Sequence, residues 1–310
     1  MHAIEIDNLT KSYPVGFWKK QFRPALKGLS LSVERGETFG FIGPNGAGKT
    51  TTLKLLMGII FPTAGSAHIL GKDIADAEIK KKIGFLPEQP YFYDYLNPSE
   101  LLDYYASLSG VSATERKKRI PELLERVGLA DSARKQLRKF SKGMLQRVGI
   151  AQAIIHDPEV IFLDEPMSGL DPIGRHEIRE MIQGLKDAGK TIFFSTHILS
   201  DVEALCDRVA VVHKGELRGI GVMNELRSST GGKTEVIWEG SGSVPRVTQL
   251  LMESHVTGDL VRATVASENL DTLLARLREY QGRLISVTPL HGTLEQYFLS
   301  RTSEPEAARV

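Results

Sequence analysis

Short apolar runs with strand character alternate with helical-period stretches along most of this chain. Residues 3–13, Ala-Ile-Glu-Ile-Asp-Asn-Leu-Thr-Lys-Ser-Tyr, alternate apolar and polar as an edge strand does. Ala25–Val33 and Glu37–Ile42 continue as strands around an Arg35-Gly36 turn. Residues 14–24 between them read as an extended loop, with two prolines bracketing three aromatics and three cations. Residues 66–72 and 82–86 give further short strands, and Thr51–Met57 gives a helix stopped by Gly58 and Pro62. Over 97–155 the pattern becomes helical. Asn97-Pro98-Ser99 opens a helix rich in Leu and Tyr, and Leu123, Leu124, Val127 and Leu129 fall at helical spacing. The charge run Glu115–Arg119 reads as a solvated face.

Alternation then returns. Val160–Leu163 is a buried strand, Asp171-Pro172 starts a helix ended by Gly189, and Thr191–Ser195 is a strand. Ser200-Asp-Val-Glu203 has the form of a capping box, and Val209–Val212 and Glu216–Ile220 flank a Lys214-Gly215 turn. This order predicts a mostly parallel sheet covered on both faces, with the helical block as an insertion. Residues 227–232 read as a linker. Beyond it come strand 234–238, helix 244–254, hairpin 255–266, helix 268–281 and strand 283–289, a β-α-β-β-α-β order that predicts a small ferredoxin-like domain. Leu294–Leu299 is a last helix, and disorder is expected from Ser303. The expected division is 1–226, 227–232, 233–302 and a tail of 303–310.

Composition narrows the classes. The 310 residues suffice for about two domains. At 41% hydrophobic and 25% charged they support a packed core. A net charge of +1 argues against a generally basic nucleic-acid binder. The single cysteine, Cys206, excludes an internal disulfide framework and fits a reducing compartment. No run reaches the roughly 18 apolar residues of a spanning helix. If the protein moves something across a membrane, another chain must supply the channel.

The chemistry centres on Gly43-Pro44-Asn45-Gly46-Ala47-Gly48-Lys49-Thr50, followed by Thr51, which fits G-x-x-x-x-G-K-[ST] between an apolar strand and a helix. Glycines let successive N–H groups converge on one hollow, and the following helix points its positive end at it. Lys49 reaches β- and γ-phosphates, and the Thr50 hydroxyl ligates Mg²⁺. Asp164 and Glu165 end the strand Val160–Leu163, at the sheet edge where ligands bind in such folds. Their divergence allows Asp164 to hold the Mg²⁺ shell and Glu165 to polarise an attacking water. Ser141 and Gly143 open another helix and form a second anion-competent end. One nucleotide needs only one γ-phosphate cradle.

With these residues assembled, the sequence resembles the ATP-binding subunits of ABC transporters over residues 3–222. Seven elements fall in the family's order: Tyr13, the phosphate loop, Gln89, Ser141–Gln146, Asp164-Glu165, Ser168-Gly-Leu-Asp171 and His197. The resemblance implies an α/β fold of the P-loop NTPase class. It would have a RecA-like core sheet, an antiparallel β subdomain and a helical subdomain over about residues 90–155, before the ferredoxin-like α+β domain. It further implies ATP and Mg²⁺ as cofactors. Tyr13 would stack on adenine, and Gln89 would touch Mg²⁺ and sense a membrane partner. Ser141 and Gly143 would grip the γ-phosphate held by the opposite subunit, and Asp171 would link the two sites. His197 would contact the γ-phosphate, joining Glu165 and Lys49 in catalysis. The implied assembly is a homodimer or heterodimer of ABC subunits with a separate transmembrane permease, at the cytoplasmic face of the membrane. The family's commonest L-S-G-G-Q is here Ser141-Lys142-Gly143-Met144 after Phe140. That variant resembles the branch working with ABC-2-type membrane subunits, mostly exporters, as does the closing Gly292–Phe298.

The rival of another class is a soluble ABC ATPase acting on DNA or the ribosome. It is disfavoured by the lack of a long heptad coiled coil, by a single phosphate loop and by near-neutral charge. A P-loop kinase leaves the second anion-competent end and His197 without a purpose.

Overall fold

The computed structural model describes residues 2–15, 21–223, 225, 233–280 and 282–290. The chain divides into two compact units, Met1–Gly221 and Val222–Val310.

The first unit is built on a six-stranded sheet in the order β10-β9-β3-β8-β7-β6. Its central strands are β3 (Thr38–Ile42), β8 (Thr191–Thr196), β7 (Val160–Asp164) and β6 (Ile83–Leu86), with β9 (Arg208–His213) and β10 (Glu216–Val222) beyond. Pairings β9–β3, β3–β8, β8–β7 and β7–β6 are all parallel. Every residue of β3, β7 and β8 is buried, as a sheet covered on both faces requires. Phe39, Phe41 and Phe162 surround Phe193 in the core. The covering helices include α1 (Lys49–Leu56), α5 (Pro172–Asp187) and α6 (Leu199–Leu205).

An antiparallel sheet, β2-β1-β4-β5, packs into the same core through Ile4, Leu9 and Leu29. It comprises β1 (His2–Val15), β2 (Gln21–Glu34), β4 (Ala64–Ile69) and β5 (Lys72–Asp73). The helical block holds α2 (Pro98–Leu108), α3 (Ala113–Arg126) and α4 (Lys142–Ile154) around a separate cluster that includes Leu101, Leu124 and Val148. Asn97 and Glu100 close a capping box at the start of α2. Together these parts form a P-loop, RecA-like ATPase core with a helical subdomain.

The second unit contains β11 (Lys233–Glu239), α7 (Val244–Val247), β12 (Leu251–Thr257), β13 (Leu260–Ala266), α8 (Leu270–Glu279) and β14 (Arg283–Leu290). Its antiparallel sheet runs β12-β13-β11-β14, the ferredoxin-like order. Trp238, Val261 and Val265 pack against Leu273 and Leu277 of α8.

Four readings of the sequence are corrected. β1 is an inner strand between β2 and β4, so its alternation is not that of an edge. Residues 14, 15 and 21–24 of the expected 14–24 loop are strand, with Ser12, Tyr13 and Pro14 opposite Pro24, Arg23 and Phe22, while residues 16–20 lie outside the described residues. The prolines fit because β2 is an outer strand and β1 pairs with β4 only as far as Thr10. The helix expected over 244–254 stops early. A 3-10 turn at Thr248–Leu250 leads into β12, where pairing with β13 overrides the helical propensity of Leu-Met-Glu. Ser200 caps nothing: α6 has Ile198 at its N-cap and no side-chain cap. The expected helix Leu294–Leu299 and the tail lie outside the described residues. Among the described residues no helix is long and apolar enough to cross a membrane.

Candidate active site

The phosphate loop joins β3 to α1 through a backbone that side chains would block. A Cβ on Gly43 would lie 2.4 Å from Val212 O, and one on Gly48 2.8 Å from Ala25 O. Gly48 has φ +106 and is the N-cap of α1, so no side chain consumes the first N–H groups of that helix. Gly46, at φ +80, has nothing within 4 Å of its missing Cβ. The turn after β9 braces this loop. Gly215 N donates to Ala47 O at 3.0 Å, and Lys27 N donates to Gly215 O at 2.9 Å.

The open side of the loop faces a cavity of about 920 Å³ whose walls include Tyr13, Lys49, Thr50, Thr51, Glu165 and His197. Lys49 Nζ donates to Gly43 O at 2.8 Å and lies 3.1 Å from Glu165 Oε1. His197 Nδ1 stands 2.8 Å from Glu165 Oε2. One carboxylate thus joins the two groups expected to work on a γ-phosphate. Lys49 and Glu165 are each 6% exposed, so their attraction is weakly screened. Glu165 sits at φ +48, a backbone region unusual for a non-glycine residue. Its N–H is anchored on Ser195 O at 3.1 Å.

Asp164 is 2% exposed and accepts a hydrogen bond from Ser195 Oγ at 2.5 Å. Burial pushes its pKa above the ordinary value, opposed by hydrogen bonds from Ser195 and Thr50. The hydroxyl and carboxylate expected to share Mg²⁺ are therefore within each other's reach. Among the described residues no cluster of three metal-ligating side chains exists. Mg²⁺ ordinarily takes one or two protein oxygens plus substrate phosphates and waters, so Thr50 and Asp164 beside a phosphate cradle fit it.

The remaining expected residues lie elsewhere. Gln89 is exposed beyond β6, and its neighbour Glu88 lines the cavity instead. Ser141, Gly143 and Asp171 do not line it. Ser141 caps α4, accepting from Met144 N at 3.2 Å, and Asp171 caps α5, accepting from Gly174 N at 2.7 Å. These two helix starts adjoin: a Cβ on Gly143 would lie 3.8 Å from Leu170 Cδ2. The sequence reading missed Ser195 and the cavity-lining Arg23, Lys27 and Lys214. Arg23 could have been found from strand register, since it stands opposite Tyr13. The others carry no local signal.

Comparison with known proteins gives a consistent result. The family model described as ABC transporter matches residues 26–168. An uncharacterized ABC transporter ATP-binding protein of Nostoc sp. is 47% identical over 308 residues, spanning 99% of this chain and 91% of that protein. The linearmycin resistance ATP-binding protein LnrL of Bacillus subtilis is 33% identical over 313 residues, spanning 96% of this chain and 98% of LnrL. Among solved structures, a dimeric bacterial ABC transporter cassette superposes with TM-score 0.65 at 28% identity, over 71% of this chain and 98% of that one.

Proposed function

This chain belongs to the ABC transporter family as an ATP-binding subunit that hydrolyses ATP and acts with a membrane component, and on that premise we propose that it is one half of a two-site motor driving export. Two such subunits pair head to tail, and the α4 end of each meets the nucleotide held by the other's phosphate loop. The observation carrying this reading is the separation within one chain. Lys49, Thr50 and Glu165 line the nucleotide-sized cavity, whereas Ser141, Gly143 and Asp171 lie outside it. The dimeric assembly of the solved cassette supports the pairing. The resistance named for LnrL supports outward transport. The proposed permease is a separate transmembrane chain, placing this subunit at the cytoplasmic membrane face.

Tyr13 packs the adenine at the cavity rim, and the N–H groups behind Gly46 and Gly48 receive the phosphates. A γ-phosphate competes with Glu165 for Lys49, because the ammonium cannot keep both its 3.1 Å carboxylate contact and a phosphate bond at full strength. Drawn to the phosphate, Lys49 leaves a Glu165 oxygen to accept the proton of the attacking water. His197 stays on the other oxygen of that carboxylate and presents the rest of its ring to the transferred group. Thr50 and Asp164 are the residues that would hold Mg²⁺, which when bound would neutralise charge on the nucleotide's phosphates.

The test mixes two inactive variants, Lys49→Ala and Ser141→Arg. If the sites are shared between chains, the mixture puts both lesions in one site and leaves the other intact, restoring hydrolysis. If each site is complete within a chain, the mixture stays inactive. Copurification from membranes, with the partner identified and transport followed in vesicles of known orientation, tests the permease and the direction.

A further inference from the structure

The second unit exposes a strand edge that is complementary to itself. β12 is an outer strand of its sheet, paired on one side with β13. Every residue from Met252 to Thr257 is exposed, including the apolar Met252 at 52% and Val256 at 50%. Glu253–Thr257 pairs with Thr264–Leu260 without a register shift, so this stretch has the regular backbone that a further strand can join. Free edges are ordinarily blunted by lysine, proline or an inward charge. The opposite outer strand, β14, carries Pro289. β12, Leu-Met-Glu-Ser-His-Val-Thr, carries neither lysine nor proline.

We propose that β12 pairs with β12 of a second copy of this chain, antiparallel and centred on Ser254, joining the two sheets into one. Residues equidistant from Ser254 then face each other. Glu253 meets His255 of the partner subunit, a contact that occurs twice through the two-fold axis, while Met252, at the register shift between Leu251 and Glu253, lies outside the regular pairing. Neighbouring registers lose this match. Centring on Glu253 sets two carboxylates against each other, and centring on His255 sets two imidazoles together and leaves Glu253 opposite a threonine. Because the axis runs normal to the sheet, the helix-covered faces stay on the same side. Val256, which pairs with the buried Val261, extends that apolar face across the junction.

The test uses the full chain without added nucleotide, so ATP-driven pairing is not measured. Ser254→Cys stands opposite its own copy at a separation a disulfide spans, while the native Cys206 is buried. Mild oxidation is expected to give a reducible covalent dimer from Ser254→Cys, with at least tenfold less from Thr288→Cys on the other outer strand. In sedimentation, Glu253→Lys is expected to weaken self-association by about fivefold, from two pairs at the usual cross-strand strength. Adding His255→Glu exchanges the charges across the pair and is expected to restore it. Circular dichroism verifies that each variant is folded. Equal cross-linking at the two positions, or association that neither falls with Glu253→Lys nor returns with the exchange, would overturn the proposal.

Discussion

Two helices in the first unit start beside glycines and small polar residues, yet their ends differ in kind. α1 begins at Gly48, with no side chain capping it, under a cavity of about 920 Å³. α4 begins at Ser141, whose hydroxyl already takes the N–H of Met144. The first end keeps its N–H groups for a ligand. The second has committed one to its own cap and retains a hydroxyl hydrogen to give away. An open end binds strongly by itself, whereas a capped end contributes to a site whose charge is held elsewhere. This asymmetry suits a nucleotide bound within one chain and completed by another.

The largest expected effect tests the open end. Glu165→Gln removes the proposed base but leaves the loop, so turnover should fall by about 10²–10⁴-fold with ATP binding retained. Unchanged steady-state hydrolysis would remove Glu165 from that role. Gly48→Ala comes next. Its backbone at φ +106 alone should cost about 1–3 kcal/mol, and its Cβ would press on Ala25 O, so calorimetry should show weaker nucleotide binding and a lower melting temperature. An alanine with wild-type affinity would mean that the loop does not need this geometry.

A subtler effect follows from Asp164. Its pKa is raised in the fold, so the folded chain holds its proton more tightly than the unfolded chain does. The resulting stabilisation is complete below the unfolded carboxylate value and is lost as pH rises through the folded one. Asp164→Asn should therefore be more stable than the parent chain at pH 8, with the gap closing toward pH 4, and should hydrolyse ATP poorly. Thermal melts without nucleotide at the two pH values check the sign. The smallest effect probes the capped end. Ser141→Ala should lower stability by about 1 kcal/mol through the lost cap and leave ATP affinity of the single chain unchanged.

What the sequence revealed follows the same division. The phosphate loop was legible because its chemistry is contiguous: strand, glycines and helix lie within a few residues. The parallel sheet was legible because strands buried on both faces read as unbroken apolar runs. Ser195 was not, since its bond to Asp164 joins residues 31 apart that only sheet pairing brings together. Ser200-Asp-Val-Glu203 misled because the capping pattern is short: the N-cap of α6 is Ile198, two residues before Ser200, which falls inside the helix. The helix expected to 254 failed because the edge strand β12 is dictated by its partner β13 rather than by its own period. Gln89 is legible as a residue just beyond a strand, yet the neighbouring Glu88 is the one in the cavity wall, a one-residue distinction that spacing cannot resolve.

The brace at Gly215 has a mechanical consequence. Ala25, Gly48 and Gly215 meet backbone to backbone, with a Cβ on Gly215 falling 2.5 Å from Ala25 O. The hydrogen bonds from Gly215 N to Ala47 O and from Lys27 N to Gly215 O tie the same three segments. The joint behaves as a linkage with no slack: the outer antiparallel strand, the phosphate loop and the last hairpin of the core sheet cannot shift independently. A push on β2 is therefore delivered to the floor of the nucleotide cavity without passing through any side chain. Loosening the N-terminal strands would detune hydrolysis even with every catalytic group in place.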